Sequence, residues 1–251
     1  MNLGTSAPAL RMQRMLAARV SQKVASRVRP APMISFTFDD FPKSAVAAGG
    51  RILREFGLRG TYYAALGLMS KTTPVGRIFD RSDLDEVAAS GHELACHTFD
   101  HPRCCDVTTA EFVMNCESNR TKALEMLDGY VLRNFSFPEG VVTSAAKAAL
   151  MMCYDTCRTI EPGINVGPID KAFLLANPVY SSGGIARPMK LVEQSVRENG
   201  WLILYTHDVS ESPSPYGCTP DEFHHIVKCA VDSGAEILPV AEAAAQFETQ
   251  V

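Results

Sequence analysis

Asp39 and Asp40 are adjacent carboxylates closing a strand-like stretch, Met33-Ile-Ser-Phe-Thr-Phe-Asp-Asp-Phe-Pro42. Ile34, Phe36 and Phe38 alternate there with Ser35 and Thr37, the period of an extended chain. Two charges at a strand end are costly to bury without partners, and neighbouring side chains on an extended backbone point to opposite sides. One carboxylate can therefore face a metal while the other handles a proton; taken alone, the pair also reads as a solvated turn of two acids. His97 and His101 are separated by three residues, a spacing that puts both imidazoles on one face of a helical turn. With Asp40 they make two imidazoles, one carboxylate and an open position. That is the donor set of a catalytic divalent metal, zinc first, with cobalt, manganese or nickel as alternatives. Such an ion polarises a carbonyl and lowers the pKa of its water. Asp39 is then placed to take the water's proton, and His207, after the run Trp201-Leu-Ile-Leu-Tyr-Thr206, to protonate a leaving group. His92 and the helical pair His224-His225 fall outside the set.

These residues serve one site only if the strands that precede them end on one face. Short apolar runs bounded by turn formers predict strands at 33–38, 60–65, 92–97, 133–137, 153–159, 173–175, 201–206 and 236–239. Helical spacing predicts helices at 44–56, 82–89 with Ser82 as N-cap, 143–151 and 187–199. Capping boxes at Thr108/Glu111 and Thr219/Glu222 open two more, running to about 127 and 233. Residues 161–167 read as a long loop. Regular alternation without a linker or repeat argues for one parallel sheet closed, or nearly closed, into a barrel, with its chemistry at the C-terminal strand ends. The barrel domain is expected over 33–251, after a basic extension, 1–32, that its chemistry does not need.

Composition narrows the partners. The 251-residue chain is 46% hydrophobic, ordinary for a globular protein. Neither a membrane-length apolar run nor a secretory h-region is evident. The eight cysteines do not form a small disulfide framework, so reduced thiols and a cytoplasmic location, peripheral to the inner membrane surface if the extension docks there, are expected. Residues 1–38 hold six basic residues and no acid; with an overall charge of −4, the rest carries −10 and offers no nucleic-acid stripe. Residues 9–29 read as a basic amphipathic helix with Met12, Leu16, Val20, Val24 and Val28 in line. It suits an anionic membrane surface, a partner subunit or the acidic body itself. The oligomeric state is left open.

Thr37-Phe-Asp-Asp40, His97-Thr-x-x-His101-Pro102 and Leu204-Tyr-Thr-His207-Asp208 resemble the first, second and fifth motifs of polysaccharide deacetylases with the NodB-homology domain. The resemblance covers roughly residues 33–240. It implies a distorted (β/α) barrel of seven or eight mostly parallel strands. It also implies metal-dependent removal of an N-acyl group, acetyl or formyl, from an amino sugar. In those terms Asp39 is the general base, Asp40, His97 and His101 hold the metal, and His207 is the general acid. Three departures stand out. Where the third motif has Arg-Pro-Pro-Tyr-Gly, this chain has Ser136-Phe-Pro-Glu-Gly140: the backbone N–H of Glu139 keeps the oxyanion-donor position, but the arginine that steadies the base is a serine. Arg158, ending the strand expected at 153–159, is the candidate replacement. Phe41 stands where the first motif has glycine and is expected to narrow the groove mouth, and no fourth motif is recognisable. A non-catalytic carbohydrate-binding relative and a hydrolase of a small non-sugar amide are the alternatives. No aromatic row along the sequence marks a polymer-binding groove.

Overall fold

A computed structural model describes residues 7–20, 22–27 and 31–249. Thirteen strands occur among them: β1 Val24–Ser26, β2 Met33–Asp39, β3 Thr61–Ala64, β4 Thr72–Thr73, β5 Gly76–Arg77, β6 Glu93–Cys96, β7 Asn134–Ser136, β8 Thr156–Arg158, β9 Ile169–Asp170, β10 Asn177–Pro178, β11 Trp201–Thr206, β12 Glu236–Ile237 and β13 Glu248–Thr249. The α-helices are α1 Ala7–Ala17, α2 Arg51–Glu55, α3 Arg81–Ala89, α4 Thr109–Met126, α5 Ser144–Leu150, α6 Ala186–Arg197, α7 Pro220–Asp232 and α8 Val240–Ala245.

The main sheet runs β10-β11-β2-β3-β6-β7-β8, every pairing parallel. Its edges meet: Leu174, just before β10, bridges Arg158 of β8, and Thr159 N–H donates to the Leu174 carbonyl at 3.0 Å. The result is the closed parallel barrel that the alternation implied, distorted as the resemblance implied. The distortion has a local cause. β12 pairs with β2 only at Met33 and Ile34, whereas β3 pairs with it at Thr37 to Asp39, so one edge of β2 serves two neighbours.

Both faces of this sheet are covered, which is why β2 and β11 are buried along their whole length. Phe36 and Phe38 face outward against Phe223 of α7. The alternate row, Ser35, Thr37 and Asp39, faces the barrel interior. Ser35 is satisfied by Trp201 Nε1 and the Leu238 carbonyl, and Thr37 by the Leu204 carbonyl. Met33, Trp201, Ile203, Val240 and Phe247 form a smaller apolar cluster that includes α8. The catalytic-type residues occupy the other end, where β2, β6, β7, β8 and β11 finish.

Several local expectations are corrected. Residues 9–29 are not one helix. α1 stops at Ala17, where the buried ammonium of Lys147 on α5 takes the carbonyls of Ala17 and Val20, and the chain then pairs as β1 with β9 and β13. Val28, on the proposed apolar line, lies outside the described residues. The N-cap of α3 is Asp80, not Ser82, because Asp80 and Asp83 form the capping box. Residues 45–50 take a π-helical turn before α2, and Gly49 lies so close to the Phe38 ring that a Cβ there would meet it at 2.7 Å. The stretch 173–175 supplies a bridge rather than a strand. α8, β1 and β13 were not foreseen.

Candidate active site

β2 ends at Asp39, and the next two residues adopt left-handed backbone, Asp40 at φ 53 and Phe41 at φ 54. Such conformations cost about 1–2 kcal/mol per residue. Burying the Phe41 ring, worth about 1.5–3 kcal/mol, offsets that cost at its own position. The ring is fully buried, stacked on Phe79 at 4.3 Å and edge-on to Tyr62 at 5.0 Å. The expectation that Phe41 narrows the groove mouth is therefore corrected: it belongs to the core, and its turn rotates Asp40 away from Asp39.

Asp39 continues the inward row of β2 and is almost wholly buried. Arg158, fully buried at the end of β8, donates to both of its carboxylate oxygens and to Ser136 Oγ. The guanidinium lies between the Tyr63 and Tyr205 rings, 4.9 Å from each centroid, and its other arm reaches the Thr159 carbonyl at 3.0 Å. Burial alone would raise the Asp39 pKa, but the charge of Arg158 overrides it and holds the carboxyl below its ordinary range. Ser136, where the resemblance would place an arginine, is thus occupied in binding an arginine that arrives from the next strand.

Asp40, His97 and His101 converge: one ligand-type atom from each lies within 4.8 Å of the others. Asp40 Oδ1 is 3.6 Å from His97 Nε2 and 3.1 Å from His101 Nε2. That oxygen is buried and makes no hydrogen bond, an orphaned acceptor aimed at two imidazole nitrogens. His97 Nδ1 lies 2.8 Å from the Ser136 carbonyl, which fixes a proton on Nδ1 and leaves Nε2 as a lone-pair donor. Burial, with His101 beside it, pushes the His97 pKa down to about 4, so the imidazole is neutral near pH 7. These features fit a divalent cation. The helical turn expected for the histidine pair is not what joins them. Residues 97–101 form a loop with Thr98 and His101 at φ 63 and 62. It is braced by Asn115 of α4, whose Oδ1 accepts from Phe99 N–H at 2.7 Å and Asp100 N–H at 3.0 Å.

His207 follows β11, the strand paired with β2 up to Thr206 and Phe38. Its Nδ1 is 3.2 Å from the Tyr216 carbonyl, so a neutral backbone group, not a carboxylate, faces that nitrogen. Asp208 holds the intervening loop by accepting from Ser214 N–H at 2.8 Å and from its hydroxyl. Gly217 must be small there, because a Cβ would fall 2.3 Å from Asp208. Tyr180 stands 5.7 Å from Tyr205, 5.9 Å from Tyr216 and 6.1 Å from His207, ring centre to centre. An aromatic wall thus exists although the sequence shows no aromatic row, since its members come from three separate segments. Glu139, at φ 52, has an exposed side chain 3.7 Å from Arg103.

One cavity of about 640 Å³ is lined by Asp39, Asp40, His97, His101, Glu139 and His207, with the three tyrosines. Arg158 lies behind Asp39 rather than on the cavity surface. The arrangement can hold a divalent ion, a carboxylate kept ionised and an imidazole within one space. Sequence reasoning missed Ser136 as a hydrogen-bond partner, the Tyr216 carbonyl and the tyrosine wall. Only Tyr205, two residues before His207 in sequence, carried a signal of its place.

A family model described as polysaccharide deacetylase matches residues 26–153. No curated protein matches the sequence. Among solved structures, a family 4 acetyl xylan esterase from Clostridium thermocellum in complex with a cobalt ion is 17% identical, with a TM-score of 0.60 over 84% of this chain and 89% of that one. Bacillus subtilis PdaA, a family 4 carbohydrate esterase, is 13% identical, with a TM-score of 0.57 over 86% and 82%. A mutant of the CE4 family pseudoenzyme BA3943 with restored enzymatic activity is 11% identical, with a TM-score of 0.59 over 87% and 70%. At these identities the likeness establishes a shared fold.

Proposed function

The chain belongs to the polysaccharide deacetylase family, and from that premise we propose that it is a metal-dependent hydrolase removing an acetyl or formyl group from the nitrogen of an amino sugar. The observation that carries this reading is the convergence of three chemically distinct units on one cavity: Asp39 with Arg158, Asp40 with His97 and His101, and His207.

Asp40, His97 and His101 would hold the cation, zinc being the first expectation for two imidazoles and a carboxylate, with cobalt, manganese or nickel able to replace it. When bound, it supplies Lewis acidity toward the acyl oxygen and lowers the pKa of water. Asp39 receives the proton of the attacking water. Arg158 keeps that carboxylate ionised and fixed, and its charge lowers the basicity of Asp39 in the same stroke. The backbone N–H of Glu139 donates to the oxyanion that forms at the acyl carbon. His207 gives a proton to the departing nitrogen as the C–N bond breaks, and the Tyr216 carbonyl orients its ring. An amine cannot leave unprotonated, so an acid in addition to the base Asp39 suits an amide. The tyrosine wall offers flat apolar surface against which a pyranose ring packs.

The purified chain would be stripped of metal, reloaded with zinc or cobalt, and incubated with N-acetyl and N-formyl amino sugars and their short oligomers. Metal-dependent release of acetate or formate is expected. Metal binding without release from any of them would favour a non-catalytic carbohydrate-binding relative and overturn the enzyme reading. Release only from small non-sugar amides would overturn the substrate class.

A further inference from the structure

α1 presents its apolar side outward. Leu10 and Ala17 face the body and Ala17 is fully buried, whereas Met12, Met15, Leu16 and Val20 are 56%, 48%, 54% and 40% exposed. Four sizeable apolar side chains within nine residues form a face that nothing in the described fold covers. Arg11 and Arg19, both exposed, flank it. The charge background gives this face a direction. Residues 1–38 contain six basic residues and no acid, while the rest of the chain carries −10. An anionic surface repels the body and attracts only the end that bears α1. Pairing two such faces from two copies would bring both sets of arginines together, which like-charge repulsion opposes.

The position of α1 relative to the cavity adds a consequence. Arg14, on the same helix, is 3.2 Å from Glu161. Ile160, the preceding residue, lines the catalytic cavity. We propose that α1 docks on an anionic membrane surface, with Met12, Met15 and Leu16 entering the headgroup boundary and Arg11 and Arg19 against the lipid phosphates. Docking there holds the flank of the cavity beside that surface. An 11-residue helix gives weak and reversible attachment, sensitive to salt.

The test is co-sedimentation of the full chain with vesicles of phosphatidylcholine alone and of phosphatidylcholine mixed with phosphatidylglycerol, at low and high salt. No sugar substrate is present, so the outcome is independent of the proposed hydrolysis. Pelleting with the mixed vesicles at low salt is expected, with little or none on neutral vesicles or at high salt. The pairs Met12→Glu/Leu16→Glu and Arg11→Glu/Arg19→Glu change only exposed side chains, and circular dichroism is the check that they fold. Each should weaken vesicle binding by at least about tenfold, with hydrolysis of a soluble substrate unchanged. No pelleting of the unaltered chain, or equal pelleting with neutral vesicles, overturns the proposal. So does a dimer in solution that Met12→Glu/Leu16→Glu dissociates, since that assigns the face to a second copy.

Discussion

Arg158 contacts both oxygens of Asp39, whereas Asp40 turns one oxygen toward two imidazoles and toward nothing else. The two neighbours should therefore fail differently. Asp39→Asn is expected to keep its metal and fold while losing about 10²–10⁴-fold in turnover, the scale of a lost general base. Asp40→Ala should lose the metal itself, read as metal per chain. His207→Ala should retain metal and lose amide hydrolysis, but spare an activated aryl ester, whose leaving group needs no proton. Equal metal loss in the two aspartate variants would assign both acids to the ion. Arg158→Met leaves a buried charge without its partner, so a loss of about 3–5 kcal/mol in stability is expected. Asp39→Asn combined with Arg158→Met should recover part of it, measured by urea unfolding. At this scale the sequence was legible where charge stood in an implausible place. Asp39-Asp40 at a strand end and the histidines after other strands announced themselves by type. The partner of Asp39 was inferable only through the resemblance, as the replacement for the arginine that the third motif lacks, because Arg158 is 119 residues away. The Tyr216 carbonyl that faces His207 was illegible, since every residue has one.

Among the elements, the loop at 97–101 most directly controls the proposed metal site. It takes its shape from a helix: Asn115 on α4 bonds two of its N–H groups and, through its amide, Asp100 at 3.0 Å. Thr98 Oγ1 adds a bond from His101 N–H, also at 3.0 Å. Asn115→Ala should leave α4 helical and the barrel folded, because Asn115 is only half-buried. Metal affinity should nevertheless fall by about 10–100-fold, the usual effect of removing an outer-shell support. Competition with a chromophoric chelator reads this directly; unchanged affinity would mean that the loop holds its shape without α4. Capping boxes made the starts of α4 and α7 readable, since the signal is local and chemical. Strands of two or three residues were not readable, because β1, β9 and β13 exist only through one another. The stripe at Met12, Leu16 and Val20 was read correctly as apolar, but spacing could not say whether it faced the body or away from it.

At the scale of the whole molecule, the parallel barrel was legible because each strand–helix repeat carries its own signals, and the tie between the chain's two ends was not. β1 lies between β9 and β13, joining residues 24–26 to 169–170 and 248–249. The Lys147 ammonium, fully buried, is divided among Asp170 at 2.6 Å, the Ala17 carbonyl at 2.8 Å and the Val20 carbonyl at 2.9 Å. Arg27 reaches Gln246 and lies over the Phe247 ring at 5.6 Å, both just after the end of α8. A chain beginning at Ala31 keeps Asp170 for Lys147 but loses both carbonyls, and water replaces them only in part. It also leaves β9 and β13 without the strand that pairs them. Hydrogen bonds to a charged group contribute about 1.5–3 kcal/mol each when no solvent substitutes. With partial substitution, a fall of about 2–4 kcal/mol in unfolding free energy is expected, seen as a lower urea midpoint. Metal binding by the shortened chain should persist at low temperature, because Asp40, His97 and His101 draw their supports from β7 and α4. An unchanged midpoint would show that the first thirty residues are energetically separate from the barrel, and that the Lys147 contacts add nothing beyond what water supplies.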